Sequence, residues 1–147
     1  MPADKVKETM RDFRKALESR DVDKILSFFT EDGEWHAPEG SFKGRAELKR
    51  YIQWNAKTTP DLKMTEVGAK IIATESDLGV YEHMLSGTVD GMKWETLGLC
   101  IYEFKGEKIK SIRSAYDRLS IAKQVVKGPM SRMAVNGLLK KMEEGLH

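Results

Sequence analysis

Residues 62–120 read LKMTEVGAKIIATESDLGVYEHMLSGTVDGMKWETLGLCIYEFKGEKIKSIRSAYDRLS, and this stretch decides the fold. It is dense in β-branched and aromatic residues, which suit a pleated, half-buried surface. Breaks at "SD", "DG" and "KGE" predict four strands, over about 63–73, 78–89, 92–105 and 108–116. "VDGMKW" and "FKGEKI" read as hairpin turns, because Asp-Gly and a lone glycine tolerate positive φ. Alternation then assigns faces. In the second strand Tyr81, His83 and Leu85 share one face, with Glu82 and Met84 on the other. In the third, Trp94, Thr96, Gly98, Cys100, Tyr102 and Phe104 oppose Glu95, Leu97, Leu99, Ile101 and Glu103. Both faces of that strand carry apolar residues, so both are expected to be covered.

Upstream, Val6, Met10, Phe13 and Leu17 recur at spacings of three and four, an amphipathic helix over about 3–19. Asp21 caps a second, short helix carrying Ile25, Leu26, Phe28 and Phe29, which "EDG" ends. Glu34 to Ala37 reads as a short strand stopped by Pro38, with Gly40 and Gly44 allowing a tight loop. "GRAELKRYIQWNAKT" follows as a third helix with Leu48, Tyr51 and Ile52 toward one side. Helices followed by antiparallel strands indicate an α+β fold. Downstream, Leu119 to Val126 is apolar in patches, Gly128–Pro129 breaks it, and a last helix carries Met130, Met133, Leu138, Leu139 and Met142. That stripe requires burial, as a lid over a cavity, on the sheet, or against a second subunit.

Composition narrows the function classes. The 147 residues are 40% hydrophobic and 33% charged, as in a soluble globular domain. A net charge of +2, from scattered basic residues without interleaved aromatics, argues against a nucleic-acid partner. The N-terminus is charged throughout and lacks an apolar signal core. No run approaches bilayer-crossing length, so no membrane partner is expected. Cys100 is the single cysteine, which with the missing signal makes a cytoplasmic location the expectation. No His, Cys or carboxylate spacing calls for a metal, and no glycine-rich loop opens a βαβ unit for a dinucleotide or phosphate.

The order helix, helix, FTEDGEWHAPEGSFKGRAEL (29–48), then long strands closing on GEKIKSIRSAYD (106–117), resembles the NTF2-like superfamily. The likeness is to its SnoaL-like, polyketide-cyclase-like branch, and it covers about residues 3–120. The chain is expected to be one domain over 1–147, with a C-terminal helical extension from about 118. The resemblance implies a cone, in which three N-terminal helices pack on a strongly curved, mainly antiparallel sheet around an apolar pocket. Members include isomerases, cyclases, epoxide hydrolases, dehydratases and proteins that only bind partners, so fold alone assigns no chemistry. The ketosteroid isomerase pattern places a catalytic carboxylate just before the loop proline, where this chain has Ala37. The cyclase pattern places an aspartate near the end of the last strand, which falls on Asp117, and acts on a polycyclic ester without cofactor or metal.

Asp117 is a candidate acid or base, or else the N-cap of the helix that follows. His83, between an aromatic and an aliphatic neighbour, suits proton exchange near neutral pH. Either His36 or Trp35 faces the pocket, as a titrating group or as an apolar wall. Glu95 is an internal acid beside Leu97, or an exposed charge. Tyr81 and Tyr116 are candidate hydroxyl donors, and Trp35, Leu85 and Leu97 candidate substrate contacts. The expected function is a cofactor-independent proton-transfer enzyme acting on a small hydrophobic carbonyl compound. The alternative is a non-catalytic binding protein of the same fold. In either case a homodimer is expected, from the two apolar sheet faces and the methionine-rich last helix.

Overall fold

The computed structural model describes residues 1–74 and 77–146; Glu75, Ser76 and His147 lie outside it. Helix α1 (Ala3–Ser19) and helix α2 (Val22–Ser27) come first, followed by strands β1 (Phe29–Ala37) and β2 (Gly40–Lys43). Helix α3 (Gly44–Thr58) intervenes before β3 (Lys63–Ala73), β4 (Leu78–Val89), β5 (Met92–Lys105) and β6 (Lys108–Tyr116). Helices α4 (Arg118–Val125) and α5 (Pro129–Met142) close the chain. The last four strands begin and end where residues 62–120 predict.

Two expectations about the architecture are corrected. Two helices, not three, precede the sheet, because α3 follows β2. The sheet is not the strongly curved wall of a cone. It is open and mixed, in the order β2-β1-β6-β5-β4-β3, with β2 and β3 as free edges. The error starts in "TEDGE". Its charges suggest a helix terminator, but the segment is a bulge inside β1. Between Phe29 and Glu34 the partner strand β6 advances only from Ile109 to Ser111. Gly33 fits there because a Cβ would stand 3.0 Å from the Thr30 carbonyl oxygen and 3.1 Å from the Phe29 ring. The bulge lengthens β1 enough to pair in parallel with β6 and antiparallel with β2, where Trp35 faces Phe42.

The core forms where α1 lays its stripe on the sheet. Val6, Met10, Phe13 and Leu17 are all buried, as their spacing requires. Phe13 is the hub, with ring centroids 5.5–5.9 Å from those of Phe28, Phe29, Trp35 and Tyr102. Helix α5 differs from expectation. None of its residues is buried, and Met130, Met133, Leu138 and Met142 are exposed.

Candidate functional site

The inner faces of β1, β3, β4, β5 and β6, with α1, α3 and α4, line a cavity of about 120 Å³. Trp35, Met64, Leu85 and Ile121 give it apolar walls, interrupted by two groups of polar side chains.

The first group is centred on Glu39, in the turn between β1 and β2. Pro38 ends the β1 ladder there and turns the following carboxylate toward α3. The Tyr51 hydroxyl, from α3, donates to Glu39 Oε2 at 3.2 Å. The Tyr116 hydroxyl, from the last residue of β6, donates to Oε1. Burial pushes both phenols well above the usual tyrosine range, so each keeps its proton and donates. Tyr51 is fixed by stacking on Phe42, with centroids 4.2 Å apart and rings 10° from parallel. Arg118 ties the same turn down by donating to the Pro38 carbonyl at 3.3 Å. Glu39, Tyr51 and Trp54 also line an open groove on the outside, which places them at the mouth.

The second group is centred on His83. Its ring fits into β4 because the residue opposite is Gly98. A Cβ there would stand 2.6 Å from His83 Cε1 and 2.9 Å from Nδ1. The imidazole is fully buried, and that burial pushes it down to about 4, so it is neutral at pH 7. Nε2 lies 3.5 Å from Cys100 Sγ, which lies 3.2 Å from Ser114 Oγ. Ser114 Oγ accepts from Trp35 Nε1 at 2.9 Å. Burial pushes the Cys100 thiol up to about 11, so it too stays protonated. Two buried nitrogens of cavity-lining side chains, His83 Nδ1 and Trp94 Nε1, have no hydrogen-bond partner.

Of the residues singled out in the sequence, His83, Tyr116, Trp35 and Leu85 line this cavity. Tyr81 is buried with its ring edge against His83, but its hydroxyl points away and donates to Glu66 at 3.3 Å. Burial pushes that phenol up to about 12. Asp117 is exposed, and its carboxylate caps α4 by accepting from the Ser120 amide at 2.9 Å. His36 lies on the opposite face of β1 from Trp35, with Nδ1 2.8 Å from Ser41 Oγ and Nε2 3.3 Å from Glu34. Glu95 and Leu97 lie on the exposed face of β5. The geometry therefore does not bring Asp117 and His83 into one cavity.

Glu39, which with Glu34 and His36 is one of three groups of possible chemical role in residues 33–44, joins the site, and Tyr51, Trp94 and Ser114 join it without having been singled out. Glu39 was visible as a carboxylate in the proline-glycine loop. Its partners are 12 and 77 positions away, and only the folded chain brings them to it. Among the described residues, no three His, Cys, Asp or Glu side chains gather as a metal set. No described helix is long and apolar enough to cross a membrane.

Comparison with known proteins agrees with this fold. A family model described as a SnoaL-like domain matches residues 10–112. No curated protein matches the chain. Among solved structures, Bal32a from a soil-derived mobile gene cassette is similar at 20% identity and a TM-score of 0.70, over 81% of this chain and 94% of that one. An NTF2-like protein from Burkholderia xenovorans LB400 is similar at 20% identity and 0.69, over 86% and 99%. SalBIII, an epoxide hydrolase/cyclase-like enzyme of pyran ring formation in the polyether salinomycin, is similar at 17% and 0.70, over 80% and 94%. At these identities the likeness establishes fold, not chemistry.

Proposed function

The chain belongs to the SnoaL-like domain family, and on that premise we propose that it is a cofactor-independent proton-transfer enzyme of the isomerase, cyclase or dehydratase type. Its substrate is a small hydrophobic carbonyl compound. The observation that carries this reading is the Glu39 carboxylate at the mouth of an apolar cavity, held through both oxygens by protonated phenols. Glu39 takes a proton from the carbon beside the carbonyl. The C–H electron pair becomes the second bond of an enolate, and negative charge moves to the oxygen. Return of the proton from Glu39 to a different carbon gives isomerisation; its transfer to a departing β-hydroxyl, which leaves as water, gives dehydration; attack of the enolate carbon on a second carbonyl, whose oxygen takes the proton, gives ring closure. Tyr51 and Tyr116 hold the carboxylate in position.

Size restricts the substrate. The cavity volume is about 120 Å³. Sites for drug-sized ligands begin near ~300 Å³. The cavity is smaller than a site for a polycyclic ester, which favours a small substrate, or a small reacting fragment with the rest of the molecule in the outer groove. The exposed Ile72, Leu97 and Leu99 on the outer sheet face support a homodimer as the working form.

Exchange of α-protons for deuterium tests the chemistry without knowledge of the natural substrate. Cyclopentanone and 3-penten-2-one in deuterated buffer, followed by proton NMR, should exchange faster with the protein than without it. Glu39→Gln should remove the acceleration, and equal rates in parent and variant would eliminate Glu39 as the base. The second reading, a binding protein of the same fold, is favoured by Ala37 in place of the loop carboxylate. Ketone binding without any exchange would select it.

A further inference from the structure

We propose that His83 presents Nδ1–H to the cavity as the donor for a ligand carbonyl oxygen, in a tautomer set by the chain Trp35–Ser114–Cys100 and extending the ligand-site reading above. The chain has a direction because one end can only donate. Trp35 Nε1–H gives its proton to Ser114 Oγ at 2.9 Å. In the proposed direction the Ser114 hydroxyl then donates to Cys100 Sγ, 3.2 Å away. The Tyr102 hydroxyl also donates to this sulfur, and with both hydroxyls donating the Cys100 S–H is directed toward His83 Nε2, at 3.5 Å. An Nε2 that accepts leaves the proton of a neutral imidazole on Nδ1.

That Nδ1 is buried without a hydrogen-bond partner, and its ring packs directly against Gly98, where a Cβ would stand 2.9 Å from the nitrogen. A buried donor left unpaired costs about 1–3 kcal/mol, a cost that an acceptor brought by a ligand removes. Trp94 Nε1–H is a second buried, unpaired nitrogen in the same lining, and indole only donates. Both orphan groups therefore call for acceptor oxygens, and the nearby Arg14 guanidinium disfavours a cation. The ligand class is a small compound that brings an acceptor oxygen and no positive charge, which the proposed proton transfer narrows to a carbonyl compound. In the proton transfer proposed above, the developing enolate oxygen would meet a donor already in place, with no second proton transfer required. Cys100 and Ser114 are positioning residues, which act through the imidazole and do not touch the substrate.

Long-range nitrogen–proton NMR of the full chain at pH 7 reads the tautomer directly, with His83→Gln assigning the signals. The expected spectrum has a pyrrole-type shift at His83 Nδ1 and a pyridine-type shift at Nε2. The reverse pattern would overturn the donor assignment while leaving the Glu39 exchange test standing. Cys100→Ala should move population toward the Nε2–H form and Cys100→Ser should restore Nδ1–H; an unchanged tautomer in Cys100→Ala would refute the relay. Ser114→Ala provides an independent break in the chain, with the same shift expected, should Cys100→Ala fold poorly. Added cyclopentanone should shift His83 Nδ1 in the parent, whereas cyclopentane and pyrrolidine should not. No shift with saturating ketone, or an equal shift with all three, would refute the carbonyl contact even if the deuterium exchange succeeds.

Discussion

Lowering the pH from 7 to 5 should destabilise the protein chiefly through His83. The imidazole is fully buried, and burial takes it from 6.5 to about 4 on folding. Between those values the unfolded chain binds a proton that the folded chain refuses, so stability rises with pH across this window. The contribution is complete above pH 6.5 and is lost as pH falls toward 4. At ~1.4 kcal/mol per unit over roughly 1.5 units, the loss at pH 5 is about 2 kcal/mol. Carboxylates held low by partners, Asp32 by Lys110 and Glu66 by Arg11, lose their contribution as pH falls through their unfolded values of 3.8 and 4.5, so most of that loss lies below this interval. Urea unfolding followed by tryptophan fluorescence at pH 7, 6 and 5 measures the slope. The parent should lose about 2 kcal/mol over that range, and His83→Gln almost none, whatever its absolute stability. Parallel curves for parent and variant would mean that the imidazole does not titrate as a buried neutral group, and would refute the reasoning.

Other outcomes follow from single contacts. Gly98→Ala should cost about 1–3 kcal/mol in urea unfolding, because its Cβ would stand 2.6 Å from His83 Cε1 and 3.0 Å from Leu85 Cδ1. Asp117→Ala should cost about 1 kcal/mol through loss of the α4 cap, with deuterium exchange on ketones unchanged. Sedimentation equilibrium should give a species of about twice the 16.7 kDa chain mass, and Leu99→Lys on the outer sheet face should return it to a monomer.

The parts legible in the sequence were those governed by short-range periodicity. Strands β3 to β6 are bounded by turn residues. Alternation placed Tyr81, His83 and Leu85 on one face of β4, and Trp94 to Phe104 on one face of β5, as the burial pattern has them. The alternating four- and three-residue spacing of Val6, Met10, Phe13 and Leu17 likewise fixed the buried side of α1. Illegible features depended on distant partners or on competing local chemistry. "TEDGE" carries the charges of a loop, yet its bulge is paired with a strand some 80 positions later. "GSFK" is too short to announce itself and becomes β2 only beside β1. Asp117 sits where a helix begins, so the same carboxylate fits a cap and a catalyst; the Ser120 amide takes it. Glu39 shows no local pattern that marks two tyrosines as its partners.

The parallel pairing of β1 with β6 also governs the order in which the chain matures. Phe29 meets Ile109 across 80 positions of sequence, whereas β4, β5 and β6 are joined by tight hairpins. Loop-closure entropy favours the hairpins first, and non-local pairings of this kind fold on slower timescales. During synthesis β1 and β2 leave the ribosome long before the strand they pair with. The aromatic stripe around Phe13, Phe29 and Trp35 therefore stays open to solvent until β6 emerges, an interval in which it is exposed to aggregation and to chaperones. Tyr116 ends that strand and also clasps Glu39, so completion of the sheet and closure of the cavity mouth fall at the same moment of synthesis.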